Sequence, residues 1–181
     1  MNELENRFEE LFADELKLIE NPDLRAKVVK CWAETLQRSP FEFDDLQRIP
    51  FTLLIEDAPF NLIEHTKAVT HTAVKIAEGM KEVYGERVKI DMDTLVAGAL
   101  LHDVGKLLEY EPRDGNIVKS EFGKRLRHPV SGAAVAYMVG LPIEVVHAIA
   151  AHSKEGNFTK RTIESIIIHH ADFVNFEPFK E

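Results

Sequence analysis

The 181-residue chain is 45% hydrophobic and 29% charged, enough apolar residues to bury a core and too many for a disordered chain. A net charge of −9 and a lone cysteine, Cys31, exclude an intrachain disulfide framework and argue against general nucleic-acid binding, which usually shows a basic footprint. A reducing, cytoplasmic setting is expected. The first residues are acidic and lack the basic-then-apolar layout of a secretory signal. No apolar run reaches the ~20 residues that span a bilayer, so no membrane association is expected.

The apolar spacing predicts helices almost throughout. Residues 2–19 and 22–38 read as two amphipathic helices, the second opened by Asn21 and Pro22. Pro40, Pro50 and Pro59 break up the next stretch, a Phe-rich irregular segment that reads as core packing rather than a base-stacking surface. Asn61 and Glu64 form a capping-box pattern ahead of a helix whose apolar stripe is Leu62, Val69, Ala73, Ile76 and Ala77. Asp93 is expected to cap the helix that runs to Asp103 and Val104, disturbed at Gly105. Asp114–Gly115, between short extended runs over 108–120, predicts the only hairpin. Helices follow over 128–139, closed by Gly140, then 142–152, opened by Pro142, and 160–174. The fold class is all-α, a helical bundle with a small β-hairpin.

The chemistry-bearing residues are few. His102 and Asp103 end an otherwise apolar helix, where an unsatisfied buried polar group costs ~1–3 kcal/mol, so the pair needs a partner. An imidazole beside a carboxylate is half a site for a divalent cation. His65 sits early in its helix, His128 begins one, His152 ends one, and Asp172 interrupts an apolar face; a packed bundle brings such positions together. His71 competes with His65, but Val69, Ala73 and Ala77 follow His65 at steps of four. His147 lies about 140° around the helix from His152 and is expected to face elsewhere. His169, one turn before Asp172, is a further candidate, and His170 is expected at the surface.

The ordered set H…HD…H…H…D, with HDVGK at its centre, HPVSG at His128 and HHAD ending at Asp172, resembles the HD superfamily of metal-dependent phosphohydrolases over residues 61–174. The resemblance implies one HD domain over 1–181, with 1–60 a helical extension packed on the 61–174 core. It implies a first metal held by His65, His102, Asp103 and Asp172, and a second held by Asp103, His128 and His152. Some one-metal members carry HDxxE; Lys106 stands in place of that glutamate here, which favours two metals. The ligand types leave Mn, Mg, Fe, Ni, Co and Zn open, at one or two ions per chain.

The expected activity is hydrolysis of a phosphate ester, such as a nucleotide, by a metal-activated water. Asp103 would orient the nucleophile and Lys106 would stabilise developing charge. Lys106, Lys124, Arg127 and Lys154 are the candidate substrate contacts; Lys119, Lys124, Arg125 and Arg127 form a basic stretch opposed only by Glu121. A two-iron oxygenase and a metal-binding regulatory module remain alternatives. The GYP signature of the cyclic-dinucleotide branch does not follow His152. Pocket walls are expected from 41–60, the hairpin loop and 153–161, and oligomeric state stays open.

Overall fold

The structure, a computed structural model, describes residues 2–180. Asn2 and Glu5 close a reciprocal capping box on α1 (Glu3–Leu11), each side chain accepting from the other's backbone N–H at 2.9 Å. The single helix expected over 2–19 is instead broken at Phe12, after which α2 (Ala13–Leu16) begins. The reason is tertiary: the break lets Phe8 stack on Trp32 and Phe12 pack against it at a tilt, at 5.7 and 5.2 Å between ring centroids.

Trp32 belongs to α3 (Pro22–Gln37), opened by Asn21, whose side-chain Oδ1 accepts from Asp23 and Leu24 N–H. Its indole donates to the Leu100 carbonyl at 3.1 Å. A buried bond thus ties the N-terminal helices to the segment that leads into His102.

Residues Phe51 to Phe60 form a loop whose ends are pinned together: Leu62 N–H donates to Ile49 O and Phe51 N–H to Phe60 O. Phe51 is thereby delivered to the start of α4 (Leu62–Tyr84), which carries the Asn61–Glu64 capping box. Next comes α5 (Met92–Leu101), buried continuously from Thr94 to Leu101. A helix apolar all round belongs in the interior, and α5 packs against α3, α4 and two later helices, Ile143–Ala151 and Ile163–Val174. Its cap is Asp91, which accepts from Thr94 N–H, and not Asp93. Asp93 accepts instead from Glu20 and Asn21 N–H, holding the turn into α3.

After His102 the chain makes tight turns into α6 (Lys106–Glu109), β1 (Tyr110–Arg113) and β2 (Asn116–Lys119). The strands pair antiparallel about Asp114–Gly115, both at positive φ (51° and 81°), as a two-residue hairpin turn demands. A short α7 (Glu121–Arg125), not anticipated, is capped by Ser120. The remaining helices are α8 (His128–Val139), α9 (Ile143–Ala151) and α10 (Ile163–Val174). Gly140 ends α8 at φ 84°, the left-handed closure expected of it. α10 starts later than expected because Thr162 caps it. Among the described residues no helix is long and apolar enough to cross a membrane.

Candidate metal centre

Two helices end on a ligand-type histidine in the same way. His102 follows α5 and His152 follows α9, and each Nδ1–H donates to the carbonyl three residues back (Ala99 and Ile149, both 2.7 Å). The last carbonyls of a helix lack intrahelical partners, so the imidazole satisfies one and is itself oriented. The lone-pair nitrogens, His102 Nε2 and His152 Nε2, then point inward, fully buried and without a hydrogen-bond partner. Two orphaned imidazole nitrogens beside carboxylates are donors awaiting a cation.

His128 opens α8 and is oriented by Glu109, whose carboxylate accepts from both its Nδ1–H and its backbone N–H at 2.6 Å. Its Nε2 lies 3.3 Å from Asp103 Oδ1. His65 enters from α4, its Nε2 3.1 Å from Asp172 Oδ1 and 3.6 Å from Asp103 Oδ2. His102 Nε2 is 3.2 Å from the same Asp103 Oδ2, and His152 Nε2 is 3.7 Å from Oδ1.

All six side chains singled out in the sequence therefore meet at one place. They form two groups, each with donor atoms within 4.8 Å of one another: His65, His102, Asp103 and Asp172, and Asp103, His128 and His152. Asp103 faces one group with each oxygen, so either group can hold a metal ion and both share that carboxylate.

The electrostatics suit cation binding. Burial works to raise the Asp103 pKa, but Lys106 and His102 hold it well below the usual carboxylate range. Asp172 is held at about 2 against its own burial by the His65 bond. Burial, with His102 and His128 nearby, pushes His152 down to about 3 and keeps it neutral, the form a metal requires. Burial also lowers His65. His102 is the exception, raised because the Asp103 charge outweighs its burial, so a cation there competes with a proton.

Lys106 does not hang free. Its buried ammonium donates to Asp103 Oδ2 at 2.6 Å and to the Phe51 carbonyl, and Asp103 raises its pKa despite burial. A cavity of about 490 Å³ opens over the cluster, lined by Lys106, Arg127, Lys154, Lys119 and Glu109 among others. Arg127 pairs with Glu155 at 2.9 Å. Lys124 is not brought here: it lies on exposed α7, paired with Glu121 and outside the cavity lining.

Of the other histidines, His71 is mostly exposed and bonded to the buried Glu15 at 3.0 Å. His169 Nδ1–H donates to the His152 carbonyl at 2.6 Å, steadying a ligand backbone. His170 is exposed, and His147 joins neither ligand group.

Sequence reasoning missed Glu109, Arg161 and the C-terminal wall. Glu109 sits in a charged-looking stretch that reads as surface. Arg161 donates to Ala151 O and Ser153 O at 2.7 Å, fixing the loop after His152. Phe173, Phe176, Glu177 and Lys180 line the cavity from beyond Asp172, where no motif signals them.

Comparison with known proteins agrees with the geometry. The HD-domain family profile matches residues 62–174. A dihydroneopterin 2′,3′-cyclic phosphate phosphodiesterase of Methanocaldococcus jannaschii is 32% identical over 165 residues, 85% of this chain and 63% of that one. A ribonuclease Y of Acidothermus cellulolyticus is 31% identical over 115 residues (64% and 19%). A tRNA (cytidine(56)-2′-O)-methyltransferase of Thermoplasma volcanium is 28% identical over 125 (61% and 30%). The chain thus spans less than two thirds of the length of these relatives. No solved structure matches. With the profile covering most of the chain and every expected ligand type at one cluster, the chain belongs to the HD-domain family.

Proposed function

We propose that this chain is a two-metal phosphohydrolase that cleaves a phosphodiester of a small molecule, with a 2′,3′-cyclic phosphate as the leading substrate. The observation that carries the reading is Asp103, whose two oxygens face two ligand groups. The substrate class follows the name of the Methanocaldococcus jannaschii relative. A cavity of about 490 Å³ suits a small ligand, and the net charge of −9 disfavours a long polyanion.

Divalent ions bound by the six ligands would supply an activated water and neutralise phosphoryl oxygens. Two carboxylates against the single ammonium of Lys106 leave the protein side of the cluster net negative, which suits cations. Asp103 would serve both ligand groups, with Lys106 holding it in place and adding positive charge. Arg127 and Lys154 would receive the non-bridging oxygens at the mouth. Hydrolysis adds water to phosphorus, breaks one ester P–O bond and returns a proton to the departing hydroxyl. Residues 1–60 would form one unit with the HD core through the Trp32 bond, and a lone, buried cysteine, Cys31, fits a reducing, cytoplasmic setting.

The test is turnover of nucleoside and pterin 2′,3′-cyclic phosphates, and of an oligoribonucleotide, by protein loaded separately with Mn, Mg, Co, Ni, Zn or Fe. Cyclic phosphate opening that is lost on chelation and in Asp103→Ala supports the reading. No turnover with any metal, or full turnover in Asp103→Ala, refutes it.

A further inference from the structure

The cavity over the ligand cluster differs at its two ends. Beside His65, the Phe51 ring packs at 4.7 Å, and Phe176 follows 6.3 Å from Phe51 and 6.4 Å from Phe173. Leu53 and Leu54, 37% and 76% exposed, extend the apolar lining. Beside His128 the neighbours are ion pairs, Arg127 with Glu155 and Lys119 with Glu109. Arg127 precedes it directly, and Lys119 lies 3.1 Å from the Glu109 carboxylate that orients it. Aromatic rings gather at the His65 end, with Lys180 6.0 Å from the Phe176 ring, and paired charges stand at the His128 end.

Phosphoryl chemistry explains the charged end, because a phosphate needs cations and hydrogen-bond donors. It gives no reason for the apolar end. Folding gives only part of the reason: Phe173 packs on His169 at 4.6 Å, yet Phe173 and Phe176 are only partly buried and belong to neither core cluster. Two partly exposed aromatic rings lining the same cavity as the ligand cluster are what a flat ligand needs for stacking.

We propose that Phe173 and Phe176 form a stacking site for a planar heteroaromatic ring carried by the substrate. The substituent ring lies at the Phe173–Phe176 end while the phosphate reaches the ligand cluster and Arg127. This rests on the phosphohydrolase reading above and narrows its substrates to ring-bearing phosphodiesters, with ring-free ones such as glycerol cyclic phosphate disfavoured. Alanine replacement of an aromatic residue stacked on a base typically weakens binding by about 5- to 150-fold, so the preference is measurable.

The experiment is calorimetric titration of the metal-loaded protein with guanosine 2′-monophosphate, neopterin monophosphate and glycerol 2-phosphate. Wild type should bind at least one ring-bearing probe about tenfold or more tighter than glycerol 2-phosphate. Phe176→Ala and Phe173→Ala should each reduce that ratio several-fold. Phe176→Leu, which keeps bulk but not the ring, replaces any alanine variant that does not fold and should do the same. The better of the two ring-bearing probes names the ring as nucleobase or pterin. Equal wild-type affinity for ring-bearing and ring-free probes, or a ratio untouched in the folded variants, overturns the stacking site. Ring-dependent binding without turnover of any cyclic phosphate leaves the stacking site standing and removes the hydrolase reading.

Discussion

Asp103→Asn in metal-free protein isolates the charge that holds the cluster together. Asp103 and Lys106 are 1% and 7% exposed and meet at 2.6 Å. Removing the carboxylate strands a buried ammonium whose other partner is the Phe51 carbonyl. Breaking a buried pair by deleting one member costs about 3–5 kcal/mol. At roughly 2–4 °C per kcal/mol for a chain of this size, the melting temperature should fall by about 6–20 °C. The lysine can shed its proton and recover part of the cost, which sets the lower end of the range. Adding Lys106→Met removes the stranded charge, so the double variant should melt above Asp103→Asn. It should stay below wild type, because the Phe51 carbonyl then lacks its donor, at about 1–3 kcal/mol. The assay is thermal unfolding followed by circular dichroism in chelator near neutral pH. An Asp103→Asn protein that melts with wild type, or a double variant no better than the single, would refute the charge argument.

Three further outcomes follow from other contacts. His128→Ala should lower metal content from about two ions per chain to one, read by elemental analysis; unchanged content removes the second ligand group. Glu109 is buried, which raises its pKa, yet the bonds from His128 and the nearby Lys119 hold it at about 2 rather than the ordinary 4.5. A depressed carboxyl stabilises the fold above its unfolded pKa and loses that contribution as pH falls toward the folded one. Glu109→Gln should therefore be destabilised by on the order of 2 kcal/mol at neutral pH, after allowance for screening. The gap should close in unfolding curves between pH about 5 and 2, and a gap constant with pH counts against the pairing. A Cβ at Gly105 would meet the His128 carbonyl, Gly132 N at 2.7 Å and Ser131 Oγ at 2.8 Å. Gly105→Ala should thus cost about 3 kcal/mol and lower the melting temperature by about 6–12 °C; wild-type melting contradicts that close approach.

What was legible in the sequence was what local chemistry decides. Asn61 with Glu64, Pro22 after Asn21, Gly140 after Val139 and Asp114–Gly115 act within a few residues of themselves, and the structure keeps each of them. What was not legible depends on partners distant in the chain. The break at Phe12 exists because Trp32 accepts two rings. Asp91 and Asp93 are equally good caps by type, and the choice falls to Asp91 because the Glu20 and Asn21 amides, some seventy residues away, occupy Asp93.

The same division runs through the site. Histidines and aspartates inside apolar helices advertise themselves, because burial without a partner is costly and a shared cation relieves all of them together. The groups that aim those ligands carry no such conflict. Glu109 follows two leucines and precedes a tyrosine in a stretch that alternates like an exposed hairpin edge, so its carboxylate reads as solvated. Only the fold reveals that it accepts two bonds from His128 and one ion pair from Lys119. Phe173 and Phe176 carry no signal of their own, because a phenylalanine within or just after an apolar helix belongs to no motif. The decisive fact is that α10 ends at the cavity mouth, leaving those rings half covered beside Asp172. A ligand residue conflicts with its own surroundings and is visible alone, whereas a residue that orients a ligand or faces a substrate is defined by what lies opposite, which only the folded chain supplies.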